Sequence, residues 1–274
     1  MRDLTGLNVV LTGASRGIGP HIAEALAREQ TNLVLASRSQ DELDAVAGRL
    51  SGLGIKAAVI PTDVSDRSSI ESLVERSSAL LGSIDVLVNN AGIEMTSAYD
   101  ELPPDEIARV IEVNLIAPML LTRLVLPGML ERGRGHIVNV ASLAGKAGIP
   151  YQAPYSASKG GLIRFTQSLR AEYAGRGVSA SVICPGFVDS GMYQRASDMG
   201  VKAPAMTGVS KVEKVAKAVV DAIRHDRVEA IVNPTPMRPL LAVAELFPSL
   251  SEGIVRRMGV NDMFKEWADR AAKK

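Results

Sequence analysis

Cysteine is almost absent from this chain, and neither charge sign is in excess. Cys184 is the only cysteine among 274 residues, so an intrachain disulfide is excluded and a reducing compartment suits the protein. The 31 Lys and Arg residues are balanced by 30 Asp and Glu residues, which leaves a formal net charge of +1. Nucleic-acid-binding proteins usually carry a basic surface, so we predict no nucleic-acid partner. No metal site is predicted either.

Long apolar runs are missing as well. No run reaches the roughly 20 apolar residues that a membrane-spanning helix requires, and residues 1–6 contain no apolar segment of signal-peptide length. The composition, 46% hydrophobic and 22% charged, is typical of a globular protein with a large core. We therefore expect a cytoplasmic protein. Because no linker or low-complexity segment interrupts the chain, we expect one domain over residues 1–274.

Segments with strand-like and helix-like patterns alternate along most of the chain. The first strand, with Val9, Val10 and Leu11, is a continuous apolar run, which is typical of parallel strands covered on both faces. Later strands are predicted over residues 32–37, 56–61, 84–88, 135–140, 178–183 and 228–232, and helices over residues 41–53, 68–81, 103–130, 154–174, 212–224 and 239–250. This alternation predicts a doubly wound α/β fold with a parallel sheet.

A glycine-rich turn follows the first strand and opens a helix whose apolar face begins at Ile18 and Ile22. A helix N-terminus with free N–H groups attracts phosphate, and glycine lets the backbone approach it closely. The residues that this cradle would bring to a pyrophosphate are Gly13, Ser15, Arg16, Gly17, Ile18 and Gly19. Their spacing differs from the common G-x-G-x-x-G fingerprint, so a glycine-rich turn without a ligand stays an alternative.

The end of the second predicted strand bears on the choice of nucleotide. In a doubly wound fold this point lies beside the adenosine ribose, where an acidic residue binds the 2′-hydroxyl and repels a 2′-phosphate. Ser37 and Arg38 occupy the position, no acid precedes Asp41, and Arg16 of the glycine turn can reach the same place. Since arginine holds phosphate by paired hydrogen bonds, these residues favour NADP(H) over NAD(H). The alternative is that Arg38 is a solvated loop residue.

Two further loops follow predicted strands. Asp63 and Val64 come after the third strand, where the carboxylate can accept a hydrogen bond from an adenine amino group or cap the next helix. Asn90, Ala91 and Gly92 come after the fourth strand. The small residues allow a cofactor close and the asparagine can tie neighbouring loops, although a plain turn has the same composition. Both loops are predicted to contact the cofactor.

Tyr155 and Lys159 indicate acid–base chemistry. Residues four apart lie on one helix face, so both side chains are predicted to point into one site. A nearby ammonium lowers the pKa of a phenol from its ordinary value of about 10, which suits proton transfer near neutrality. Ser142 ends the fifth predicted strand, at the edge where open α/β sheets bind ligands. Its hydroxyl can hold a substrate oxygen beside the tyrosine.

Asn114 is a polar residue inside an apolar helical run. A buried amide needs partners, and a water that bridges to Lys159 is one candidate. A structural asparagine that distorts the helix is the alternative. Pro118 and Pro127 follow in the same predicted helix, and each can kink or end it.

Together these motifs resemble the short-chain dehydrogenase/reductase family. Their order and spacing match that family over roughly residues 6 to 190. The matching motifs are Thr12-Gly13-x-x-x-Gly17-x-Gly19, Asn89-Asn90-Ala91-Gly92, Asn114, Ser142, Tyr155-x-x-x-Lys159 and Pro185-Gly186. The resemblance implies a Rossmann-like sheet of seven parallel strands, with helices on both faces, and a nicotinamide cofactor.

The same resemblance implies a role for each residue of the site. Tyr155 would be the general acid/base, and Lys159 would bind the nicotinamide ribose and lower the pKa of Tyr155. Ser142 would orient the carbonyl or alcohol, while Asn114 would hold a proton-relay water. The residues implied around the nicotinamide are Pro185, Gly186, Val188 and Ser190, the last of which is more often threonine in the family.

From these residues we expect an NADP(H)-dependent oxidoreductase. It would interconvert a ketone or aldehyde with an alcohol on an apolar, lipid- or steroid-like substrate. A 3-oxoacyl-thioester reductase is the alternative within enzymes. A nucleotide-sensing regulator without catalysis is less favoured, because a protein that only binds a cofactor needs no proton relay.

The C-terminal part of the sequence is less informative. Residues from about 190 to 210, with Met192, Tyr193, Met199 and Met206, match the family's variable substrate lid in position. Many members, bacterial 3-oxoacyl-carrier-protein reductases included, end in a Gly-Gly-containing tail that builds a tetramer. This chain has instead an extension from about residue 234 to 274. The extension is more similar to the branch that acts on steroids, retinoids and other lipids.

Two apolar surfaces remain open to interpretation. The helix predicted over residues 239–250 packs on its own domain, walls the substrate pocket, docks on a second subunit or touches a membrane surface. The apolar helices predicted over residues 103–130 and 154–174 favour pairing with symmetry mates. We therefore expect a homodimer or homotetramer.

Overall fold

The computed structural model describes residues 3–204, 207–249, 253 and 259–272. Its strands are β1 (Asn8–Thr12), β2 (Asn32–Ser37), β3 (Ala57–Pro61), β4 (Val86–Asn89), β5 (Gly135–Val140), β6 (Val178–Pro185) and β7 (Glu229–Val232). They form one parallel sheet in the order β3-β2-β1-β4-β5-β6-β7. The predicted doubly wound fold with seven parallel strands is confirmed. The strand order reverses between β1 and β4, which opens a crevice at their carboxyl ends.

Helices cover both faces of the sheet. Within the described ranges they are α1 (Gly19–Arg28), α2 (Gln40–Leu50), α3 (Arg67–Leu81), α4 (Pro104–Ile111), α5 (Ala117–Glu131), α6 (Ala153–Glu172), α7 (Gly191–Asp198), α8 (Val212–His225), α9 (Arg238–Leu246) and α10 (Val260–Ala271). Val9 and Leu11 belong to a core shared with α1, α2 and α8, whereas Val10 belongs to a core shared with α3 and α5. All three side chains are fully buried. Because both sides of β1 meet apolar residues, its sequence is a continuous apolar run.

The helix predicted over residues 103–130 is divided into three segments. α4 is followed by a π-helical turn, Glu112–Ile116, and then by α5. Pro118, near the start of α5, has no N–H to donate to the carbonyl of Asn114 four residues back. The regular α-helical ladder is therefore interrupted at Asn114, and π-turns of this kind are frequent at functional sites.

The joined helical segment Pro104–Glu131 is long and apolar enough to cross a membrane by length and composition alone. Half of its most apolar window is buried within the fold, and the core helix of a globular protein passes the same test. Met119 and Leu124 on α5 are exposed. The cytoplasmic location, and the pairing of this helix with a second copy of the chain, remain predictions.

The C-terminal extension holds a helix that was not predicted from the sequence. The predicted helix over residues 239–250 is α9, and Leu250 lies outside the described residues. The unpredicted helix is α10, whose buried face is Val260, Met263, Phe264 and Trp267, the spacing of one helix face. This face packs with Ala196 of α7 in a small core of its own. Part of the lid and α10 thus share one small core. Met206 of the predicted lid lies outside the described residues.

A buried histidine lies at the opposite end of the sheet from the crevice. His136 on β5 is 2% exposed, and its Nε2 shares a hydrogen bond of 2.8 Å with Ser181 Oγ. Its Nδ1 lies 3.9 Å from the Asp226 carboxylate. Burial nevertheless lowers the pKa of His136 to about 4, because desolvation outweighs the attraction of Asp226.

We expect this histidine to make the fold sensitive to acid. As pH falls, the unfolded chain takes up a proton near the ordinary histidine pKa of 6.5, whereas the folded protein does so only near 4. The contribution of neutral His136 to the free energy of unfolding is therefore complete above pH 6.5. It falls by roughly 3 kcal/mol as the pH drops to 4. Urea unfolding at pH 7 and pH 4.5 should show a smaller loss in His136→Asn than in the wild type. Equal losses in both proteins would contradict the assignment.

Candidate active site

A cavity of about 540 Å³ lies at the carboxyl ends of the central strands, in the crevice that the strand order creates. The site residues predicted from the sequence that line it are Gly13, Arg16, Gly17, Ile18, Arg38, Asn90, Ala91, Gly92, Ser142, Tyr155, Lys159, Pro185, Gly186, Val188 and Ser190. A second cavity of about 200 Å³ adds Ser15, Ser37, Asp63 and Val64. Gly19 and Asn114 lie just outside the two cavities, where Gly19 packs on Gly13 and Asn114 lies beside Gly92. The fold thus brings distant motifs to one place.

The glycine turn has the geometry of a phosphate cradle. Gly13 and Gly17 have φ of +64° and +65°, a conformation that favours glycine, and a Cβ on Gly13 would lie 2.8 Å from Ala91 Cα. A Cβ on Gly19 would lie 2.0 Å from the Gly13 carbonyl oxygen, so the start of α1 packs directly on the turn. The N-cap residue Ile18 makes no side-chain cap. Gly19 N–H donates to the Arg16 carbonyl at 3.3 Å and Pro20 has no N–H, so the positive end of the α1 dipole is what this helix start offers to a phosphate.

The loop after β4 is tied to this turn, as predicted. Asn90 Nδ2 donates to the carbonyl oxygens of Thr12 and Gly13 at 3.1 and 3.0 Å. The backbone amides of Asn90 and Ala91 both donate to Thr12 Oγ1, at 3.1 and 3.2 Å. A Cβ on Gly92 would lie 3.2 Å from Asn114 Oδ1 and 3.4 Å from Lys159 Nζ. The crevice floor is therefore fixed before any ligand binds.

The smaller cavity carries positive charge and one unsatisfied hydroxyl. Arg16 and Arg38 line it together with Arg109 of α4, which the sequence pattern gave no reason to select. Ser37 Oγ is buried and has no hydrogen-bond partner among the described residues. A buried hydroxyl without a partner is costly unless a ligand satisfies it. Three arginines and this hydroxyl, beside the carboxylates of Glu42 and Asp63, offer hydrogen-bond donors for an anionic group.

Asp63 has a local role beside that cavity. Its Oδ1 accepts from the backbone amide and the hydroxyl of Ser65, at 2.9 and 2.7 Å. These bonds lower the pKa of Asp63 and hold the carboxylate ionised. The alternative that Asp63 caps the next helix is wrong, because the N-cap of α3 is Asp66, which accepts from the Ser68 amide at 3.1 Å. Its contact with adenine stays a prediction.

The catalytic candidates meet at the carboxyl end of β5. Lys159 is 3% exposed, and its Nζ donates to the carbonyl of Val140 at 2.9 Å and lies 5.8 Å from the Tyr155 ring centroid. Ser142 Oγ accepts from the Ala144 amide at 3.1 Å. The half-buried Tyr155 faces the same cavity. The predicted i, i+4 geometry places phenol, ammonium and serine hydroxyl around one space.

The predicted lowering of the tyrosine pKa is wrong for this structure. Burial raises the pKa of Tyr155 to about 12, and the Glu94 carboxylate adds to the rise, while a hydrogen bond with Ser142 offsets part of it. Burial also lowers the pKa of Lys159 to about 8. The groups that shift the Tyr155 pKa do not include Lys159, whose ammonium donates to the Val140 carbonyl. The phenol is therefore protonated near neutrality and suited to donate to a carbonyl oxygen.

The contacts of Asn114 support its structural interpretation. Its Oδ1 accepts from the Ile93 amide at 2.9 Å, and its Nδ2 donates to the Ile93 carbonyl and to Ser158 Oγ at 2.8 and 3.1 Å. The amide is thus a structural clamp between the π-turn, the loop after β4 and α6. Oδ1 and Lys159 Nζ also flank the space beside Gly92. The predicted bridging water remains a prediction.

The far side of the cavity is built from the lid and the C-terminal extension, whose places in the sequence were predicted but whose contacts were not. Ser190 is the N-cap residue of α7, and the backbone of Val188 pairs with that of Ser210. A Cβ on Gly186 would lie 2.3 Å from Asn233 Oδ1, which explains the need for glycine there. The apolar wall consists of Phe187, Met192, Tyr193, Leu240, Leu241, Ala244, Phe264 and Trp267. α9 therefore walls the pocket, as one of the four interpretations proposed, and leaves Leu246 and Phe247 exposed.

Several polar residues of the cavity were not predicted from the sequence, and three of them form one cluster. Glu94, Gln152 and Arg195 all line the cavity. Glu94 follows Gly92 by two positions at the carboxyl end of a central strand, a place where a charged residue could have been marked. Gln152 and Arg195 gave no such signal, because only the folded chain brings them to Glu94.

Comparison with known proteins agrees with this site. The family model described as short chain dehydrogenase matches residues 7–200. The chain is 45% identical to the ketoacyl reductase HetN of a Nostoc species, over 100% of this chain and 96% of the relative. It is 32% identical to the dehydrogenase/reductase SDR family protein 7-like of Drosophila melanogaster, over 94% and 82%.

A third relative covers less of the chain. The 3-oxoacyl-[acyl-carrier-protein] reductase FabG of Escherichia coli is 35% identical over 79% of this chain and 89% of the relative. The match to HetN includes the C-terminal extension, so that extension is shared with a protein named as a ketoacyl reductase. On the strength of the family match and of these relatives, the chain belongs to the short-chain dehydrogenase/reductase family of oxidoreductases.

Proposed function

We propose that this protein is an NADP(H)-dependent oxidoreductase that reduces a keto group on an apolar acyl chain. The observation that carries the proposal is the single crevice in which Ser142, Tyr155 and Lys159 face an apolar wall while Arg16 and Arg38 line the adjoining end. Intact proton-transfer residues disfavour a regulator that only senses nucleotide.

The cofactor would be held by residues at both ends of the crevice. The glycine turn and the start of α1 would take the pyrophosphate, and Ser37, Arg38 and Arg16 would take the 2′-phosphate. Lys159 and the residues from Pro185 to Ser190 would border the nicotinamide. When bound, the cofactor supplies the hydride.

The protein's own residues would handle the proton. The Ser142 hydroxyl would donate a hydrogen bond to the substrate carbonyl oxygen and hold it beside Tyr155. Tyr155, whose raised pKa keeps it protonated, would transfer its proton to that oxygen as charge develops there. Lys159 would bind the nicotinamide ribose, since its charge does not offset the rise in the Tyr155 pKa. Asn114 would hold the water through which Tyr155 is reprotonated.

The relatives favour a 3-oxoacyl thioester over the steroid-like substrate suggested by the extension. Two relatives are named as ketoacyl or 3-oxoacyl reductases, and one of them is aligned over the whole chain. A flat polycyclic ketone is the second candidate. It is favoured by the stacked rings of Phe264 and Trp267, whose centroids lie 5.7 Å apart at an interplanar angle of 20°.

A substrate panel tests the proposal. Purified protein is mixed with NADPH or NADH and with a 3-oxoacyl thioester, a straight-chain ketone, an aliphatic aldehyde or a steroid ketone, and absorbance at the nicotinamide band is followed. We expect the highest kcat/KM for the 3-oxoacyl thioester with NADPH. A preference for the steroid ketone would select the second candidate. Failure of every carbonyl with NADPH and NADH, and of the matching alcohols with NADP⁺ and NAD⁺, would refute the proposal.

A further inference from the structure

Glu94 is a buried carboxylate in the wall of the cavity. Its side chain is 10% exposed. Its Oε2 accepts from Thr96 Oγ1 at 2.8 Å and from Gln152 Nε2 at 3.2 Å. Thr96 and Gln152 are buried as well and bond to each other at 2.8 Å. Such a network fixes the carboxylate in one orientation instead of letting it turn to solvent.

The second oxygen of this carboxylate faces a charge from the lid. Glu94 Oε1 lies 3.6 Å from Nη2 of Arg195, which belongs to α7 and is 56% exposed. At that distance the two groups form an ion pair but not a hydrogen bond. Oε1 therefore keeps acceptor capacity toward the cavity that both residues line. The pair is close to neutral as a unit.

The carboxylate also lies close to the reacting group. Gln152 is the N-cap residue of α6 and Tyr155 is in the first turn of the same helix. The Glu94 charge acts on the Tyr155 phenol across the cavity, where it raises the phenol pKa. Burial raises the pKa of Glu94 itself. A substrate whose carbonyl is at Tyr155 therefore places its neighbouring groups near Glu94.

We propose that Glu94, balanced by Arg195, is a specificity-determining site that accepts neutral substrates, favours among them those with an N–H or O–H donor near the reacting carbonyl, and rejects substrates with a carboxylate there. An acceptor held in a desolvated place gains from a donor and loses from a second anion. A donor of this kind is the amide N–H of an acyl amide. The inference rests on the proposed carbonyl reduction and adds which groups beside the keto group the site favours or rejects.

Three probes on one carbon chain separate the effects of charge and donor. They are freshly prepared 3-oxooctanoic acid, which is an anion, its primary amide, which is a neutral donor, and its methyl ester, which is neutral without a donor. We expect wild-type kcat/KM to fall in the order amide, ester, acid. In Glu94→Gln the Arg195 charge is left unbalanced, so the acid-to-ester ratio of kcat/KM should rise at least about tenfold. The amide-to-ester ratio should fall, since a neutral acceptor bonds less strongly.

Two further variants complete the design. Arg195→Gln should lower the acid-to-ester ratio of kcat/KM, because the Glu94 charge then lacks its partner. If Glu94→Gln does not fold, the Arg195→Gln variant tests the proposal in its place. Glu71→Gln, which removes a carboxylate paired with Arg67 on the exposed face of α3, should leave both ratios unchanged. A structural defect would lower kcat/KM for all three substrates by the same factor.

The outcomes distinguish this inference from the proposed function. If the wild type reduces the ester and the acid-to-ester ratio is the same in wild type, Glu94→Gln and Arg195→Gln, the assignment of Glu94 is overturned and the reductase stands. If the wild type reduces none of the three probes and none of the panel, the proposed function fails, and this inference fails with it.

Discussion

Tyr155→Phe should lower kcat by about 100-fold or more, because general acid–base catalysis typically contributes 10²–10⁴-fold. The substitution keeps the ring and deletes only the hydroxyl that faces the cavity. The raised pKa of Tyr155 keeps the phenol protonated near neutrality, so its hydroxyl can donate to a carbonyl oxygen during reduction. The measurement is steady-state kcat with NADPH and the best carbonyl of the panel.

The matched control is Tyr99→Phe. Tyr99 is 63% exposed and lies outside the cavity, so its hydroxyl can be removed without touching the site. We expect kcat of this variant to equal that of the wild type, and the NADPH dissociation constant of Tyr155→Phe to change little. Near wild-type turnover by Tyr155→Phe would remove the residue from its assigned role.

Arg38→Ala should weaken NADPH binding by about 30-fold or more and leave NADH binding almost unchanged. Loss of one partner from a charged hydrogen-bonded pair costs about 2–5 kcal/mol, and Arg38 is exposed before binding, so we expect the lower part of that range. The wild type should accordingly bind NADPH more tightly than NADH. Fluorescence titration of both cofactors provides the dissociation constants.

Ser37→Asp should go further and reverse the preference. A carboxylate at this place would accept from a ribose 2′-hydroxyl and repel a 2′-phosphate, whereas the serine hydroxyl there is buried and unpartnered among the described residues. Arg28→Ala, on the exposed end of α1, is the control and should alter neither affinity. Equal wild-type affinities for both cofactors, or a loss in Arg38→Ala shared by both, would identify Arg38 as a solvated loop residue.

Local patterns predicted the frame of the molecule and most of its crevice. The continuous apolar runs of β1 and β2 predict parallel strands because helices cover both faces, and each such run is buried in the structure. Gly13 and Gly17 are predictable for a similar reason, since a left-handed turn under a phosphate selects glycine by sterics alone. Tyr155 and Lys159 are predictable because one turn of helix fixes their relation.

Other features were decided by contacts between distant parts of the chain. The π-turn at Asn114 needed Pro118 and the clamp to Ile93 and Ser158, and a helical pattern of apolar residues does not contain those contacts. The sign of the Tyr155 pKa shift depended on burial and on Glu94, neither of which the spacing to Lys159 reveals.

The substrate side of the site shows the same division most sharply. α10 has a readable apolar face, yet only the folded chain packs that face with α7 into one wall of the cavity. Glu94, Gln152 and Arg195 come from three segments far apart in sequence and become a site only where those segments meet. The sequence by itself determined the sheet, the glycine turn and the pairing of Tyr155 with Lys159 on one helix face, because local sterics and periodicity specify them. Tertiary structure decided what surrounds the substrate, because burial and charge pairing there arise between residues that no local pattern connects.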